Sequence, residues 1–374
     1  MIRQCRVMSL FRDDVLLGRA MSVSSGRQTG SYLMDAAARI AVAEAEAIAW
    51  QEFGIRGRAE RLSGERDENF LIRTAEEVDF VLKIAHPSEN ARQMQFQTRA
   101  LLHVPKRDSL LPVPRVLPAR DGRHEAQICD RDGRTRAVRV VTYLPGVMAA
   151  HLPLIGPSLR RAVGQTLARL DMALADFADP ADTFELSWDV TRCASLRPML
   201  AAVAQPADRE RAERALDGFE RNVVPALPVL AHQVIHNDLT PFNVLVAEEE
   251  DSRIVGIIDF GDMIRAPRIN DLAIACAYHI GAKGDPLLPL LDIVAAYCAE
   301  QKIQREECDL ICDIVAARLA ITILITEWHA AHNPENRVYI LKNHPTAVRG
   351  LARLSAVPWA EAQARLRCAA GLEA

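Results

Sequence analysis

The sequence predicts an α+β protein of two lobes, a small antiparallel β-sheet lobe at residues 35–143 and a larger, mainly helical lobe at residues 144–374. Short runs of β-branched and apolar residues between turn formers fill the first part of the chain. Long apolar patterns of helical period follow Leu144-Pro145-Gly146, where the character of the chain changes. A chain of 374 residues also favours two packed subdomains over a single core.

The composition is that of an ordinary globular protein. A net charge of -4 gives no general basic field, so we expect no nucleic-acid partner. The eight cysteines lack the close spacing of a metal site or a disulfide framework, and no apolar run is long enough to cross a bilayer. We therefore expect a cytoplasmic protein without a membrane partner.

The first lobe is predicted to contain two helices and five strands. Residues 1–34 show no clear period and are expected to form a loose arm. An Ala-rich run at residues 35–53 predicts a helix that Gly54 ends, and residues 88–103 predict a helix with Ser88 as its N-cap. Strands are predicted in the runs RAERLSG, NFLIRT, VDFVLKI, EAQICD and RAVRVVTYL, with prolines at positions 105, 112, 114 and 118 forming a connector before the last two.

The second lobe is predicted to be mainly helical. Its strand-like material is limited to the runs VIHND, NVLVAE and IVGIIDF. Helices are predicted at Leu159–Ala175, Ala207–Val223, Pro286–Gln301, Glu306–Ala331 and Pro345–Ala364.

The segment from His236 to Asn243 has the pattern H-x-D-x-x-x-x-N, and Asp259 follows in the run IIDFGD. Phosphoryl transfer needs these residue types: the Asp238 carboxylate would accept or orient the proton of an attacking hydroxyl, while oxygens of Asn243 and Asp259 would hold Mg²⁺ against phosphate. Alternatively, Asp238 caps a helix at Thr240 and Asp259 closes a turn. Both motifs in this order, about twenty residues apart and each beside a strand-like run, favour the catalytic interpretation. We interpret His236 as a brace for the loop rather than a proton carrier.

Lys83 lies between Leu82 and Ile84 on a predicted strand, and we expect it to bind the phosphates of a nucleotide. A solvated lysine at a strand end is the alternative. Protein kinases pair such a lysine with a glutamate on the next helix, but this chain has Gln97 there. We expect Gln97 to orient Lys83 by a hydrogen bond.

A loop that covers the phosphates is expected at Ser63, Gly64 and Arg66, where backbone N–H groups and one cation would hold phosphate. An ordinary hairpin turn fits these residues equally well. The segment from residue 139 to Tyr143 lies where backbone groups would meet the base. It does not distinguish ATP from GTP.

On these residues the chain resembles the aminoglycoside phosphotransferase and choline kinase family across residues 45–365. The resemblance implies a protein-kinase-like fold, a nucleoside triphosphate donor and Mg²⁺, with Asp238 as the catalytic residue and Asn243 and Asp259 as metal ligands. It also implies that Asp271, in the run RINDLA, supports the catalytic loop. An N-cap for the helix LAIACAY is the alternative role of Asp271.

Within the family, the runs ERDENFLI, FVLKIAHP and VIHNDLTPFNVLV are most similar to the hydroxylysine kinase branch. This implies transfer to the side-chain hydroxyl of 5-hydroxylysine or a similar amino alcohol. Such an acceptor needs acidic or aromatic groups for its amines and a cation for its carboxylate. The candidates are Asp262, Glu327 and Trp188 for the amines, and Arg265, Arg318 and Arg337 for the carboxylate. Asp262 and Arg265 are preferred because they adjoin Asp259.

Two other functions stay open from the sequence. One is an aminoglycoside, homoserine or choline/ethanolamine kinase of the same fold. The other is a catalytically silent nucleotide-binding module, which Gln97 and the single glycine of the phosphate loop suggest.

Overall fold

The computed structural model describes residues 39–62, 67–76, 78–89, 91–183, 185–250 and 252–372. The predicted arm at residues 1–34 and the predicted phosphate-loop residues Ser63, Gly64 and Arg66 lie outside the described residues. Within the described part, the first lobe contains an antiparallel sheet with the spatial order β1-β2-β3-β6-β4, in which β5 also pairs with β6. The strands are β1 Arg58–Leu62, β2 Glu68–Arg73, β3 Phe80–Ile84, β4 Val116–Leu117, β5 Ala126–Cys129 and β6 Thr135–Thr142. All five predicted strands are present, and the two-residue β4 is additional.

The two faces of this sheet have different partners. On the outer face, Leu82 and Val140 pack with α1, which spans Val42–Phe53 and ends at Gly54 in the left-handed conformation (φ 74°). The predicted stop at Gly54 is therefore confirmed, because a residue without Cβ adopts positive φ without strain. The inner face carries a polar row of cross-strand neighbours, Asn69 on β2, Lys83 on β3 and Arg139 on β6.

Helix α2 spans Ala91–Arg107 and differs from its prediction at both ends. The hydroxyl of Ser88 hydrogen-bonds the ring of His86 at 2.6 Å in the preceding turn, so Ser88 is not the N-cap. Pro105 lies inside the helix rather than after it. The Asp108 N–H still reaches the Val104 carbonyl at 2.9 Å, which shows that the one N–H lost at Pro105 does not end the helix.

The second lobe is built around α7, which spans Arg305–His332 and packs against α4, α5, α9 and α10. The predicted helix Pro345–Ala364 is in fact two helices, because the chain turns at Pro358 and the residue before a proline avoids helical backbone. The other α-helices are α3 Pro157–Leu174, α4 Pro206–Gly218, α5 Arg268–Ala277, α6 Leu288–Glu300, α8 Arg337–Ile340, α9 His344–Leu354 and α10 Trp359–Ala370. Turns of 3₁₀-helix span Ala149–His151, Val190–Ala202, Leu227–Val229, Phe260–Asp262, Pro334–Asn336 and Leu341–Asn343, and a π-turn spans Phe219–Val223.

Five short strands complete the second lobe as described. They are β7 Val147–Met148, β8 His232–Ile235, β9 Val244–Val246, β10 Ile254–Ile257 and β11 Ile264–Pro267. Strand β9 pairs with β10 and β7, and β8 pairs with β11. The sequence did not predict β7 or β11, since β7 has two residues and β11 ends in a proline, which weakens any strand pattern.

The α+β class with a strand-rich first part and a helical second part is confirmed by this arrangement. The boundary at residues 143/144 stays a prediction. Among the described residues, no helix is both long and apolar enough to span a membrane.

Candidate active site

The segment from His236 to Asn243 connects β8 to β9, and its backbone is hydrogen-bonded to a side chain of α5. The carboxylate of Asp271 accepts the N–H of His236 at 2.8 Å and that of Asn237 at 2.9 Å. Asn237 has a left-handed backbone (φ 65°), a conformation that asparagine tolerates better than most residues. Two backbone donors on one buried carboxylate fix the turn immediately before Asp238.

His236 connects this loop to the strand that precedes Asp259. Its Nε2–H donates to the Ile258 carbonyl at 3.1 Å, and its Nδ1 accepts the N–H of Asp238 at 3.3 Å. The ring is buried and packs edge-on against Phe260, with the ring centroids 4.8 Å apart. Both ring nitrogens therefore bond backbone groups, in the arrangement of a neutral imidazole.

Asp238 is held at both carboxylate oxygens. Its Oδ2 accepts a hydrogen bond from Nδ2 of Asn243 at 2.8 Å, and its Oδ1 accepts from Nη2 of Arg318 at 2.8 Å. Because the Asn243 amide group turns its N–H bonds toward Asp238, its Oδ1 is the atom left for a cation. The Asp238 carboxylate is thereby fixed in one orientation beside a potential metal ligand.

Arg318 on α7 is only 2% exposed, and its guanidinium group is surrounded by partners. It donates to the carbonyl of Trp188 at 2.7 Å and to the hydroxyl of Tyr278 at 3.1 Å, and it lies 5.5 Å from the centroid of the Trp188 ring. Burial alone lowers the pKa of Arg318, but Tyr278 and Asp238 more than offset this and the pKa is raised. Arg318 therefore stays charged opposite Asp238.

Asp259 lies at the end of the β10 segment with a left-handed backbone (φ 61°), a conformation that is uncommon for a non-glycine residue and often found at functional sites. Its Oδ1 accepts the N–H of Gly261 at 3.3 Å. The side chain of Asn237 donates to the Asp262 carbonyl at 3.1 Å. The turn at residues 259–262 is therefore tied directly to the catalytic loop.

The donor set at this site fits a hard divalent cation. Asn243 and Asp259 offer amide and carboxylate oxygens, the ligand types that Mg²⁺ prefers. Among the described residues, no three His, Cys, Asp or Glu side chains form a metal-holding group. The protein would thus supply two side chains and leave the other coordination positions to water and phosphate oxygens, as is usual for Mg²⁺ in kinases.

Lys83 is half-buried on the inner face of the sheet, and its side chain makes no hydrogen bond or ion pair with any described residue. The predicted hydrogen bond from Gln97 is not formed. Gln97 instead accepts from Arg139 at 3.1 Å and donates to the Gly261 carbonyl at 3.2 Å. The ammonium group of Lys83 therefore has no partner in the described part of the chain.

The model of the phosphotransferase enzyme family matches residues 58–309, which include the sheet, the catalytic loop and Asp259. This chain belongs to that family. As a phosphotransferase, it is a kinase that acts on a small molecule. Two curated relatives and one solved structure are similar to this chain.

The phosphotransferase is 27% identical to a hydroxylysine kinase of Danio rerio over 303 residues, 77% of this chain and 83% of the relative. It is 32% identical to a homoserine kinase of Beijerinckia indica over 204 residues, 53% of this chain and 56% of the relative. The solved structure of a microcompartment-associated aminopropanol kinase matches with a TM-score of 0.65 and 20% identity, covering 82% of this chain and 94% of the other. The structural likeness shows that the fold is shared.

The phosphotransferase does not leave every predicted acceptor residue accessible to an acceptor. Arg265 on β11 is ion-paired through its Nε with Asp182 at 2.6 Å, and its role toward an acceptor stays a prediction. Glu327 faces His344 at 3.2 Å and Arg337 at 3.8 Å. Glu327 lies nine positions after Arg318 along α7, which places the two side chains on opposite sides of the helix.

Other predicted residues do lie together in the phosphotransferase. Trp188 contacts Arg318 through its backbone carbonyl and its ring, as described above. Asp262 also lies near Arg318, because its charge contributes to the raised pKa of Arg318. Tyr143 follows β6, and its N–H donates to the Asp79 carbonyl at 2.9 Å. The backbone N–H of Tyr143 is therefore already bonded within the lobe.

Sequence reasoning named Arg139 only as the first residue of the segment expected to meet the base, and it missed the side-chain contacts of Arg139, Tyr278 and Asp182. A signal existed for Arg139, because a charged residue inside the apolar run RAVRVVTYL needs a partner for the same reason that Lys83 does. Neither Tyr278 nor Asp182 stands out in its own run, and both become visible only through the fold.

Proposed function

We propose that this phosphotransferase transfers the γ-phosphate of ATP or GTP to the hydroxyl of an amino acid or amino alcohol, with 5-hydroxylysine as the preferred acceptor. The carboxylate of Asp238, fixed between Arg318 and Asn243 beside Asp259, supports this proposal most directly. The similarity to hydroxylysine kinases over 77% of the chain supports the choice of acceptor.

In the proposed reaction, the acceptor hydroxyl oxygen forms a bond to the γ-phosphorus while the bond to the bridging oxygen of the nucleoside diphosphate breaks. Asp238 orients the hydroxyl and takes its proton as the new bond forms. Because this transition state is loose, the proton leaves late, and a carboxylate stabilised by the Arg318 guanidinium is a sufficient base. Mg²⁺ bound by Asn243 and Asp259 would neutralise charge on the phosphates.

The remaining groups position the substrates. Lys83 has no partner among the described residues, and its charge is available to the phosphates of the nucleotide. Trp188, Tyr278 and Asp262 lie near Arg318, which bonds Asp238, and we propose that these residues receive the acceptor. An aromatic face and a carboxylate suit an acceptor that carries an ammonium group.

A coupled assay of nucleoside diphosphate release tests the proposal, with 5-hydroxylysine, homoserine, 1-amino-2-propanol, choline, ethanolamine and kanamycin as acceptors and with ATP or GTP. Lysine is the matched control because it lacks only the hydroxyl, and Asp238→Asn is the matched enzyme control. We expect turnover with 5-hydroxylysine, none with lysine, and a loss of about 10²- to 10⁴-fold in the variant. A higher kcat/KM for homoserine or kanamycin would overturn the choice of acceptor. The absence of turnover with every acceptor, despite nucleotide binding, would support a silent module.

A further inference from the structure

Arg139 is a buried cation without an acidic partner. It lies beside Lys83 on the inner face of the sheet, is 2% exposed, and makes no ion pair within the described part of the chain. Its Nη1 donates to the hydroxyl of Thr98 at 3.1 Å, and its Nε has no hydrogen-bond partner. Burial lowers the pKa of Arg139, and the more distant charges of Asp67 and Glu125 only partly oppose this. A desolvated charge of this kind destabilises the fold, so its presence indicates that Arg139 has another role.

The contact between Arg139 and Gln97 fixes the orientation of the glutamine amide. A guanidinium group has only donors, so Oε1 of Gln97 must face Nη2 of Arg139, at 3.1 Å. The Nε2 group must then face the other way, where it donates to the Gly261 carbonyl at 3.2 Å. One turn earlier on α2, Nε2 of Gln93 reaches the same carbonyl at 3.4 Å.

This geometry explains why α2 carries the amide of Gln97 where protein kinases have a glutamate. The side chain at position 97 lies between a group that only donates and a carbonyl that only accepts. A carboxylate would satisfy Arg139, but it has no N–H for Gly261 and would repel its carbonyl oxygen. Only an amide satisfies both neighbours.

The same relay extends to the proposed metal ligand. Gly261, whose carbonyl is held by Gln97, donates its own N–H to Oδ1 of Asp259 at 3.3 Å. A continuous path of hydrogen bonds therefore runs from Arg139 on the sheet, through Gln97 and Gly261, to the carboxylate of Asp259.

We infer that Arg139 is a positioning residue, which orients Gln97 so that Gly261 holds the Asp259 carboxylate in place for the metal and the nucleotide phosphates. The inference rests on the proposed role of Asp259 as a metal ligand. In this arrangement the relay connects the sheet to the metal-binding turn without using Lys83, whose ammonium group stays available to the nucleotide. Groups that orient metal ligands in this way typically change metal affinity or activity by about 10- to 100-fold when they are replaced.

Gln97→Glu and Arg139→Met test the inference by calorimetric titration of ADP with and without Mg²⁺, together with thermal unfolding. We expect each variant to weaken Mg²⁺-dependent ADP binding by about 10- to 100-fold and to leave metal-free ADP binding unchanged. The Gln97→Glu protein should unfold at the same temperature as the parent or higher, because it gains an ion pair with Arg139. The double variant should bind no more weakly than the weaker single variant, since both changes break one path.

The matched control is Arg136→Met on the same strand. Arg136 is 1% exposed but faces the outer side of the sheet, where it pairs with Glu68 at 3.1 Å. This variant should unfold at a lower temperature and keep normal Mg²⁺-dependent binding. Normal binding of Mg²⁺ and ADP by both Gln97→Glu and Arg139→Met would overturn the inference. Equal loss of ADP binding with and without Mg²⁺ would also overturn it, because that result indicates a general disturbance of the cleft. Neither readout involves the acceptor, so failure here is distinct from failure of the proposed function.

Discussion

At the scale of single residues, Asp238 and Arg318 form a pair in which only one member is fully withdrawn from solvent. The side chain of Arg318 is 2% exposed and that of Asp238 is 25% exposed, so the carboxylate reaches solvent while its cation stays buried. Besides Asp238, the guanidinium group bonds the Trp188 carbonyl and the Tyr278 hydroxyl. The planar fork of arginine can serve all three acceptors at once, which a lysine ammonium cannot do from one position.

We therefore predict that Arg318→Lys lowers kcat by about 100-fold, because a small displacement of Asp238 misaligns the attacking hydroxyl. The KM for the nucleotide should not change. Steady-state kinetics with both substrates varied is the measurement. Arg161→Lys, at a side chain that is 53% exposed and 3.7 Å from Asp292, is the control and should behave as the parent. A rise in the acceptor KM with kcat unchanged would contradict the prediction and indicate that Arg318 binds the acceptor.

At the scale of elements, three helices meet behind the catalytic loop around two carboxyl groups. Asp171 on α3 and Asp271 on α5 share a hydrogen bond, and the hydroxyl of Tyr297 on α6 lies 2.6 Å from Asp171. Burial, followed by the charge of Asp271, raises the pKa of Asp171 well above its ordinary value. The raised pKa favours the protonated form of Asp171, which is the form able to donate a hydrogen bond to the Asp271 carboxylate.

This buried proton predicts how stability depends on pH. The folded protein keeps the proton on Asp171 at pH values where the unfolded chain has released it. The contribution of this proton to the free energy of unfolding is thus complete below the ordinary aspartate pKa and is lost as pH rises toward the raised pKa. The free energy of unfolding then falls with a slope of up to about 1.4 kcal/mol per pH unit. Asp171→Asn replaces the shared proton with a permanent N–H donor and should flatten this slope in urea unfolding measured across pH. Asp171→Ala should be less stable than Asp171→Asn at every pH. Equal slopes for the parent and Asp171→Asn would contradict the assignment.

At the scale of the whole molecule, α2 is tied to the helical part by residues 176–182. Arg99 forms a two-point ion pair with Asp179, one contact being 2.9 Å, and the rings of Phe96 and Phe177 stack at 5.9 Å. At the other end of the same segment, Asp182 holds Arg265 just beyond the turn at residues 259–262. One short segment therefore positions both the helix that carries Gln97 and the strand that follows Asp259.

We predict that Asp179→Ala raises the KM for the Mg²⁺–nucleotide complex several-fold, because α2 loses its ionic anchor to the second lobe. Kinetics with varied nucleotide, together with urea unfolding, is the measurement. The control is Glu185→Ala, which removes a carboxylate that is 80% exposed and pairs with Arg192, and surface pairs of this kind contribute at most about 1 kcal/mol. A lower stability of Asp179→Ala with an unchanged KM would show that the contact is only structural.

The sequence was sufficient wherever local structure depends on spacing along the chain. The interval from Asp238 to Asn243 brings both side chains together on one loop, and periodicity located both helices and strands of the first lobe. Prediction failed where a partner is distant in sequence, because only the fold decides which charges meet. Arg265 meets Asp182, which is 83 residues away, and Gln97 meets Gly261 rather than Lys83.

Hydrogen bonds within the protein connect the loop at residues 236–243 to two other segments. His236 bonds Ile258, Asn237 bonds Asp262, and Asp271 accepts the backbone N–H groups of His236 and Asn237. Across residues 236–243 and 258–262, the one hydroxyl that could receive a phosphate is that of Thr240, which is 7% exposed. Phosphorylation of Thr240 would therefore require the loop at residues 236–243 to open first.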